Sequence, residues 1–274
     1  MPQGKAVIGQ SGGPTAVINR SLVGFIKEAT KSDFDDILGA KHGLEGMLRE
    51  DFVDLSNLSE AQLYGIGKTP AAALGSVRKK PTDSDIENLV SIFESQNIRN
   101  FFYIGGNDSA ETANLVSEGA KSIGYDMKAF HIPKTIDNDL TVTDNCPGFG
   151  SVAKYVAISA KEASLDIKSM CKTSTKVFVL EVMGRHAGWI AASGGLAASR
   201  KGEAPHIILF PEIPFYREAF IERIETTVRQ KGYCVIVASE GIRYSDGAHI
   251  SGSMQRDAFG HQQLGGVGDF FAGF

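Results

Sequence analysis

The sequence predicts an α/β fold with mostly parallel sheets and helices on both faces. Three features carry that prediction: short β-branched and aromatic runs, helical patterns that alternate with them, and glycines gathered where the runs end. The first strand candidate, Lys5–Ile8, is a small apolar run leading into the glycine turn Gly9 to Gly13. Asn100–Ile104, Met127–Ile132, Lys176–Val182, His206–Phe210 and Tyr233–Ser239 have the same strand-sized length and read as buried strands. The helix candidates between them are Thr15–Ala29, Asp83–Glu94, Ser109–Ser122, Phe149–Lys168, His186–Ala198 and Tyr216–Lys231. Each is bounded by Gly, Pro, Asp or Asn, residues that start or stop helices. Alternation of this kind implies βαβ crossovers and hence parallel pairing.

Composition bounds the function. The chain has 274 residues with 28 Lys and Arg against 32 Asp and Glu, a net charge of −4, which argues against a general nucleic-acid binder. Hydrophobic residues make up 42%, enough for a folded core, and area scaling gives about 73% of the unfolded surface buried. The longest apolar stretches, such as Val177–Leu180 and Val235–Ala238, fall far short of the ~20 residues that span a bilayer, and the start of the chain has no signal pattern. A cytoplasmic protein away from membranes is the expectation. Cys146, Cys171 and Cys234 form no C-x-x-C and have no histidine at metal-ligand spacing, so they read as buried thiols. No repeat or Pro-rich linker divides the chain. The best lobe boundary lies in 138–148, giving lobes of 1–140 and 141–274.

Five constellations carry chemistry. Gly9-Gln10-Ser11-Gly12-Gly13-Pro14-Thr15 joins a strand to a helix, where backbone N–H groups and a helix dipole favour a phosphate. Glycines also serve such turns for conformation alone. Gly105-Gly106-Asn107-Asp108-Ser109 is a second turn of this kind, whose oxygens suit a metal-bound phosphate or a helix cap formed by Asp108 or Ser109 with Glu111. Pro133-Lys134-Thr135-Ile136-Asp137-Asn138-Asp139 holds two carboxylates at i and i+2. Extended geometry puts both on one side, where one accepts a hydroxyl proton and the other orients magnesium or a donor group; an Asx-rich turn is the bland reading. Met183-Gly184-Arg185 sets a guanidinium at a strand end, suited to a phosphoryl group, with Met183 and Trp189 as packing residues. In Ser239-Glu240-Gly241, Glu240 either holds sugar hydroxyls or caps a turn. Neither a Walker A pattern nor the protein-kinase set is present.

With these residues in hand, the chain resembles the 6-phosphofructokinase family, and closely its pyrophosphate-dependent branch. GQSGGPTAVIN, LGSVR, GGNDS, PKTIDND, PGFGSVAKY, EVMGRHAGW, SEG and DAFGHQQLGG occur in the family order over nearly the whole chain. The resemblance implies two similar three-layer α/β lobes with mostly parallel sheets, an active-site cleft between them, and a homo-oligomer, dimer or tetramer. It gives 1–140 the pyrophosphate donor and 141–274 the sugar phosphate. By resemblance Asp137 is the general base for the 1-hydroxyl of fructose 6-phosphate and Asp139 its acidic partner. Thr135, Ile136, Asp137, Met183, Gly184, Arg185 and Glu240 meet the sugar phosphate, and Lys176 serves a neighbouring subunit's. Gly12, Gly13, Arg78, Gly106, Asp108 and Ser109 bind the donor, the amide of Gly12 meeting it directly, and Lys134 and Thr135 join the catalytic group.

The resemblance assigns Mg²⁺ to Asn107 and Asp108, with Asn107 standing where many relatives have aspartate. ATP-dependent relatives have glycine at the positions of Asp108 and Lys134. A carboxylate at the first fills the room of the nucleotide α-phosphate, and a lysine at the second suits the terminal phosphates of a compact donor. The implied reaction is glycolytic and reversible: pyrophosphate plus fructose 6-phosphate giving phosphate plus fructose 1,6-bisphosphate. The alternatives are an ATP-dependent 6-phosphofructokinase and a catalytically impaired phosphate-binding fragment. The second arises because the family's Gly-(Tyr/His)-x-x-Arg segment is expected after residue 274. His261 in DAFGHQQLGG lacks the following arginine and receives no substrate role.

Overall fold

The computed structural model describes residues 3–256 and 262–273. It divides into two compact units, Met1–Thr135 and Ile136–Phe274. Residues 257–261 lie outside the described residues, and His261 with them.

The first unit contains β1 (Lys5–Gln10), α1 (Ile18–Ala29), β2 (Ile37–Ala40), α2 (Gly43–Leu48), β3 (Phe52–Asp54), α3 (Glu60–Lys68), α4 (Asp83–Ser95), β4 (Ile98–Gly105), α5 (Asn107–Ser122) and β5 (Lys128–Pro133). Its sheet runs β3-β2-β1-β4-β5, parallel except for the antiparallel edge strand β3. Strand alternation decides the layers. Val7, Phe101 and Tyr103 face one way, onto Leu44 and Met47 of α2, Leu89 and Phe93 of α4 and Val116 of α5. Ala6, Ile8, Phe102 and Ile104 face the other, onto Ile18, Leu22 and Ile26 of α1 and Leu63 of α3. The spacing of Ile18, Leu22 and Ile26 is that of one helical face, which explains why α1 lies flat on the sheet. Fully buried side chains such as Phe93, Phe101 and Ile104 each contribute about 1.5–3 kcal/mol. Capping boxes at Ser59/Gln62 and Thr82/Asp85 set the starts of α3 and α4.

The second unit contains α6 (Phe149–Met170), β6 (Val177–Val182), α7 (Trp189–Ser193), β7 (Ile207–Leu209), α8 (Arg217–Lys231), β8 (Cys234–Ser239), β9 (Gly252–Arg256), β10 (Gln262–Leu264) and α9 (Val267–Ala272). A parallel sheet, β6-β8-β7, is sandwiched in the same manner. Cys234, Ile236 and Ala238 pack on Phe220 of α8 and on Val267 and Phe271 of α9. Val235 and Val237 face Val156, Ala160 and Ile167 of α6 and Ile190 of α7. β9 and β10 form an antiparallel pair.

The alternating α/β layers and the parallel sheets match the expectation, and several boundaries differ. α1 begins at Ile18, three residues after Thr15, so the first glycine turn does not open directly onto a helix. α5 begins at Asn107, and its N-cap is Gly106; Asp108 and Ser109 therefore stand inside the first turn and are not caps. The helix expected over His186–Ala198 starts at Trp189, because Gly188 is its N-cap and donates to Glu212 Oε1 at 2.8 Å. β2, β3, β9 and β10 and the helices α2, α3 and α9 had no counterpart in the sequence reading. All three cysteines are free and buried, and burial pushes the Cys234 thiol up to about 11, where it is inert. Among the described residues no helix is long and apolar enough to cross a membrane.

Candidate active site

In the first unit the glycine turn after β1 is a junction of cations. Lys134 is 3% exposed, and its Nζ donates to the carbonyl of Gly13 at 2.7 Å. A Cβ on Gly12 would lie 3.2 Å from that Nζ, and φ at Gly12 is +74°, so both space and backbone conformation call for glycine. Arg78 approaches from the other side: its Nη2 is 3.0 Å from the point where a Cβ on Gly13 would sit. The arginine is exposed, yet its loop is fixed, since Ser76 Oγ donates to Gly12 O at 2.5 Å and Gly12 N–H donates to Val77 O at 2.9 Å. This corrects the reading of Gly12: its amide is engaged by Val77, and the residue contributes shape.

Two buried amides that the sequence reading passed over tie down the rest of this loop. Gln10 Nε2 donates to Asn19 Oδ1 at 3.0 Å, Leu74 N–H donates to Gln10 Oε1 at 2.9 Å, and Ala73 N–H donates to Asn19 Oδ1 at 2.8 Å. Their signal was present in the sequence: polar side chains at a strand end and in a helix face otherwise apolar. Such buried polar groups require partners, and here the partners are the chain that carries Arg78.

The second glycine turn is fused to the first. Ser11 Oγ and Ser109 Oγ are hydrogen bonded in the interior, and a Cβ on Gly105 would fall 1.9 Å from Ser109 Oγ. Ser109 therefore turns its hydroxyl inward and acts as a brace between turns. Burial pushes the Tyr103 hydroxyl up to about 12, against the hydrogen bonds to Ser11 and from Leu44 N–H. Gly106 lies beside Lys134 O and Thr135. Asn107 is exposed and Asp108 half-buried in the first turn of α5, where an acidic residue is favoured by the helix dipole. Gly105 O gathers Lys134 N–H at 2.9 Å and His131 Nε2 at 2.8 Å. Burial, and secondarily the Lys134 charge, hold His131 below its ordinary pKa.

In the second unit the carboxylate segment is a turn. Asn138 has φ +56°, donates through Nδ2 to Asp144 O at 3.2 Å and accepts from Cys146 N–H at 2.7 Å. The expected extended geometry of Asp137 and Asp139 is thus overturned: a left-handed asparagine between them breaks the alternation. Both are half-buried. Ile136 packs its side chain with the cluster of Val156 and Val182.

The Arg185 loop is built on the ends of β6 and β8. Glu240 N–H donates to Val182 O at 2.8 Å, Gly184 N–H donates to Glu240 Oε1 at 3.4 Å, and Ser239 Oγ donates to Gly184 O. Burial holds the Glu240 carboxyl above its ordinary value, against the Gly184 N–H and the Arg185 charge. Gly184, Arg185 and Glu240 form one group, with Arg185 half-buried. Met183, read as a packing residue, is 49% exposed in the turn after β6, whereas Trp189, 53% exposed at the start of α7, does pack its ring edge-on to Phe149, with centroids 6.4 Å apart. Lys176 is exposed at the opposite end of β6, about 20 Å of strand away from Arg185, so this chain does not bring the two together.

Among the described residues no group of three or more His, Cys, Asp or Glu gathers as a metal cage. Asn107 and Asp108 offer two neighbouring oxygen donors, a set that suits a cation which keeps waters and shares a ligand's phosphates.

Residues 5–272 match the family described as Phosphofructokinase. The pyrophosphate–fructose 6-phosphate 1-phosphotransferase of Halomonas elongata is 52% identical over all of this chain and 67% of its own length. That of Methylococcus capsulatus is 48% identical over 97% of this chain and 65% of its own. The crystal structure of pyrophosphate-dependent phosphofructokinase from Marinobacter aquaeolei has 53% identity and a TM-score of 0.80, covering 88% of this chain and 61% of that one. The phosphofructokinase of Saccharomyces cerevisiae, at 20% identity, shares the fold with a TM-score of 0.71. The chain spans about two thirds of the length of these curated bacterial relatives. With the family match running from β1 into α9 and the glycine turns, carboxylate segment and Arg185 loop all inside it, the chain belongs to the phosphofructokinase family.

Proposed function

We propose that this chain catalyses the Mg²⁺-dependent, reversible transfer of a phosphoryl group from pyrophosphate to the 1-hydroxyl of fructose 6-phosphate, giving fructose 1,6-bisphosphate and phosphate. The observation that carries the reading is the buried Lys134 ammonium under the Gly12–Gly13 turn with Arg78 beside it. Pyrophosphate has no adenosine handle, so its affinity must come from charge and backbone donors, and this turn concentrates cations. Asp108 stands where a carboxylate disfavours the further phosphate of a nucleotide. The names of the relatives from Halomonas elongata and Methylococcus capsulatus agree.

In this scheme Asp137 accepts the proton of the 1-hydroxyl while that oxygen bonds to the transferred phosphorus. The bond from that phosphorus to the bridging oxygen breaks, and phosphate departs. Arg185 balances the charge spread over the transferring group, and Glu240 holds the sugar hydroxyls. Lys134 and Arg78 hold the donor, Gly106 and Thr135 line its approach, and Asp139 supports the carboxylate pair. Asn107 and Asp108 would hold Mg²⁺, which when bound neutralises charge on the pyrophosphate. We place the enzyme in the cytoplasm as a homo-oligomer, dimer or tetramer, with Lys176 turned to a neighbouring copy's sugar phosphate.

The donor reading is tested by replacing Asp108→Gly together with Lys134→Gly. The ratio of kcat/KM for ATP to that for pyrophosphate is expected to rise by about tenfold or more. Asp108→Gly alone, at a half-buried position, is expected to move the ratio in the same direction. An unchanged ratio in both overturns the reading.

A further inference from the structure

β6 contains one charged side chain. Alternation sends Phe178, Leu180 and Val182 to the face under α6 and α7, and Val179 and Glu181 to the face under α8 and α9, so a carboxylate stands where the pattern calls for an apolar residue. A half-buried charge is costly unless it is hydrogen bonded. Glu181 Oε1 accepts from Gly266 N–H at 3.0 Å and Oε2 from Gly268 N–H at 2.8 Å, a bidentate clamp between residues 85 and 87 positions apart. These amides belong to the turn that starts α9. Its φ angles are +130° at Gly265 and +82° at Gly266, so the turn requires the two glycines that close the DAFGHQQLGG motif. Ser251 Oγ donates to Gly265 O and holds the other side. The scheme above gives neither Glu181 nor this motif a role.

The clamp lies beside Glu240. Glu181 is in register with Ala238 across β6 and β8, and the ladder runs one residue past β8, where Glu240 N–H donates to Val182 O at 2.8 Å. Alternation therefore keeps Glu240 on the side of Ala238 and Glu181. The charged groups that face Glu240 are Arg185, from the turn after β6, and Glu181, from β6 itself; Phe220 of α8 and Val267 and Phe271 of α9 cover the strand that leads to it. The two charges act in opposite senses: Arg185 favours the Glu240 carboxylate, and Glu181, like burial, favours its protonated form.

We propose that Glu181 is a positioning residue for Glu240: clamped by the Gly266 and Gly268 amides, its carboxylate fixes the end of β6 and sets a negative charge against the Glu240 carboxyl. A site residue keeps its orientation and charge only where its neighbours are fixed, and Glu181 supplies both. The sugar role of Glu240 rests on the proposed function; the coupling of Glu181 to Glu240 does not.

The test follows the Glu240 carboxyl signal in the full chain carrying carboxyl-labelled glutamate, identified by its loss in Glu240→Gln. Glu181→Gln keeps the shape, removes the charge and leaves one acceptor for the two amides. In it the Glu240 titration is expected to move to lower pH, because a like charge is gone. Fructose 6-phosphate affinity, read by calorimetry, is expected to fall about threefold or more. An unmoved Glu240 titration in folded Glu181→Gln overturns the proposal, and so does wild-type affinity in that variant. Where Glu181→Gln loses its fold, Gly266→Ala decides in its place: it strains an exposed residue at φ +82° and displaces the clamping amide without touching either carboxylate. It is expected to shift the Glu240 signal, and an unmoved signal overturns the proposal. A wild-type chain that binds no fructose 6-phosphate removes the proposed function, while the titration still decides the coupling.

Discussion

Lys134 and Glu240 show how far single residues can be read before their surroundings are known. A lysine inside a carboxylate-rich motif signals phosphate chemistry, while a glutamate at a strand end reads equally as a holder of sugar hydroxyls or as a turn cap. Neither position reveals that the ammonium is buried against the Gly13 carbonyl, or that the carboxylate is desolvated beside Gly184. Those facts come from chain segments far apart in sequence. Glu240 yields a prediction at this scale. Its folded pKa is raised above the ordinary 4.5, so the folded state holds the proton more tightly than the unfolded chain. Stability from this group is therefore greatest at acid pH and falls as pH rises from about 4.5 through the raised value. Glu240→Gln is expected to flatten that fall in thermal unfolding while weakening sugar phosphate binding by about tenfold. A variant with the wild-type pH profile would contradict the burial argument.

Elements were legible where they were long or strongly apolar. Tyr233–Ser239 announces a central strand because nearly every residue is apolar, and the α1 face repeats at helical spacing. β2 and β3 were missed because four and three residues are too few to display alternation. The start expected at Ser109 was misplaced because Gly106, with no side-chain cap, begins α5 earlier. The packing of the two glycine turns was not legible at all, since Ser11 and Ser109 meet only once β1 and β4 pair. That brace makes Gly105→Ala a direct test of the element. Its Cβ would lie 1.9 Å from Ser109 Oγ, so the variant is expected to lose about 1–3 kcal/mol in denaturant unfolding. Adding Ser109→Gly removes the contacts at 1.9 and 2.4 Å but leaves Ser11 Oγ 2.7 Å away, so it recovers part of the loss, and a double-mutant cycle is expected to show coupling. Additive losses would mean that the turns are not braced through these residues.

At the scale of the whole chain, three histidines share one tendency. His131 and His206 lie partly buried in the two units, and burial holds both, with His186, below the ordinary 6.5. Lowered folded pKa values mean that the unfolded chain takes up protons first, so their stability is fully present above about 6.5 and is lost as pH falls through the folded values. Thermal unfolding is expected to show a decline over that acid range that His131→Gln and His206→Gln reduce. A decline confined to the carboxylate range below 4.5 would remove the histidines from the account. The family assignment belongs to this scale too, because the ordered motifs span the chain while no single turn is specific.

The central claim is the phosphoryl donor, and a coupled assay of the full chain with Mg²⁺ and fructose 6-phosphate addresses it most directly. With pyrophosphate in one reaction and ATP in the other, turnover is expected with pyrophosphate and not with ATP. Turnover with ATP alone would contradict the roles given to Asp108 and Lys134.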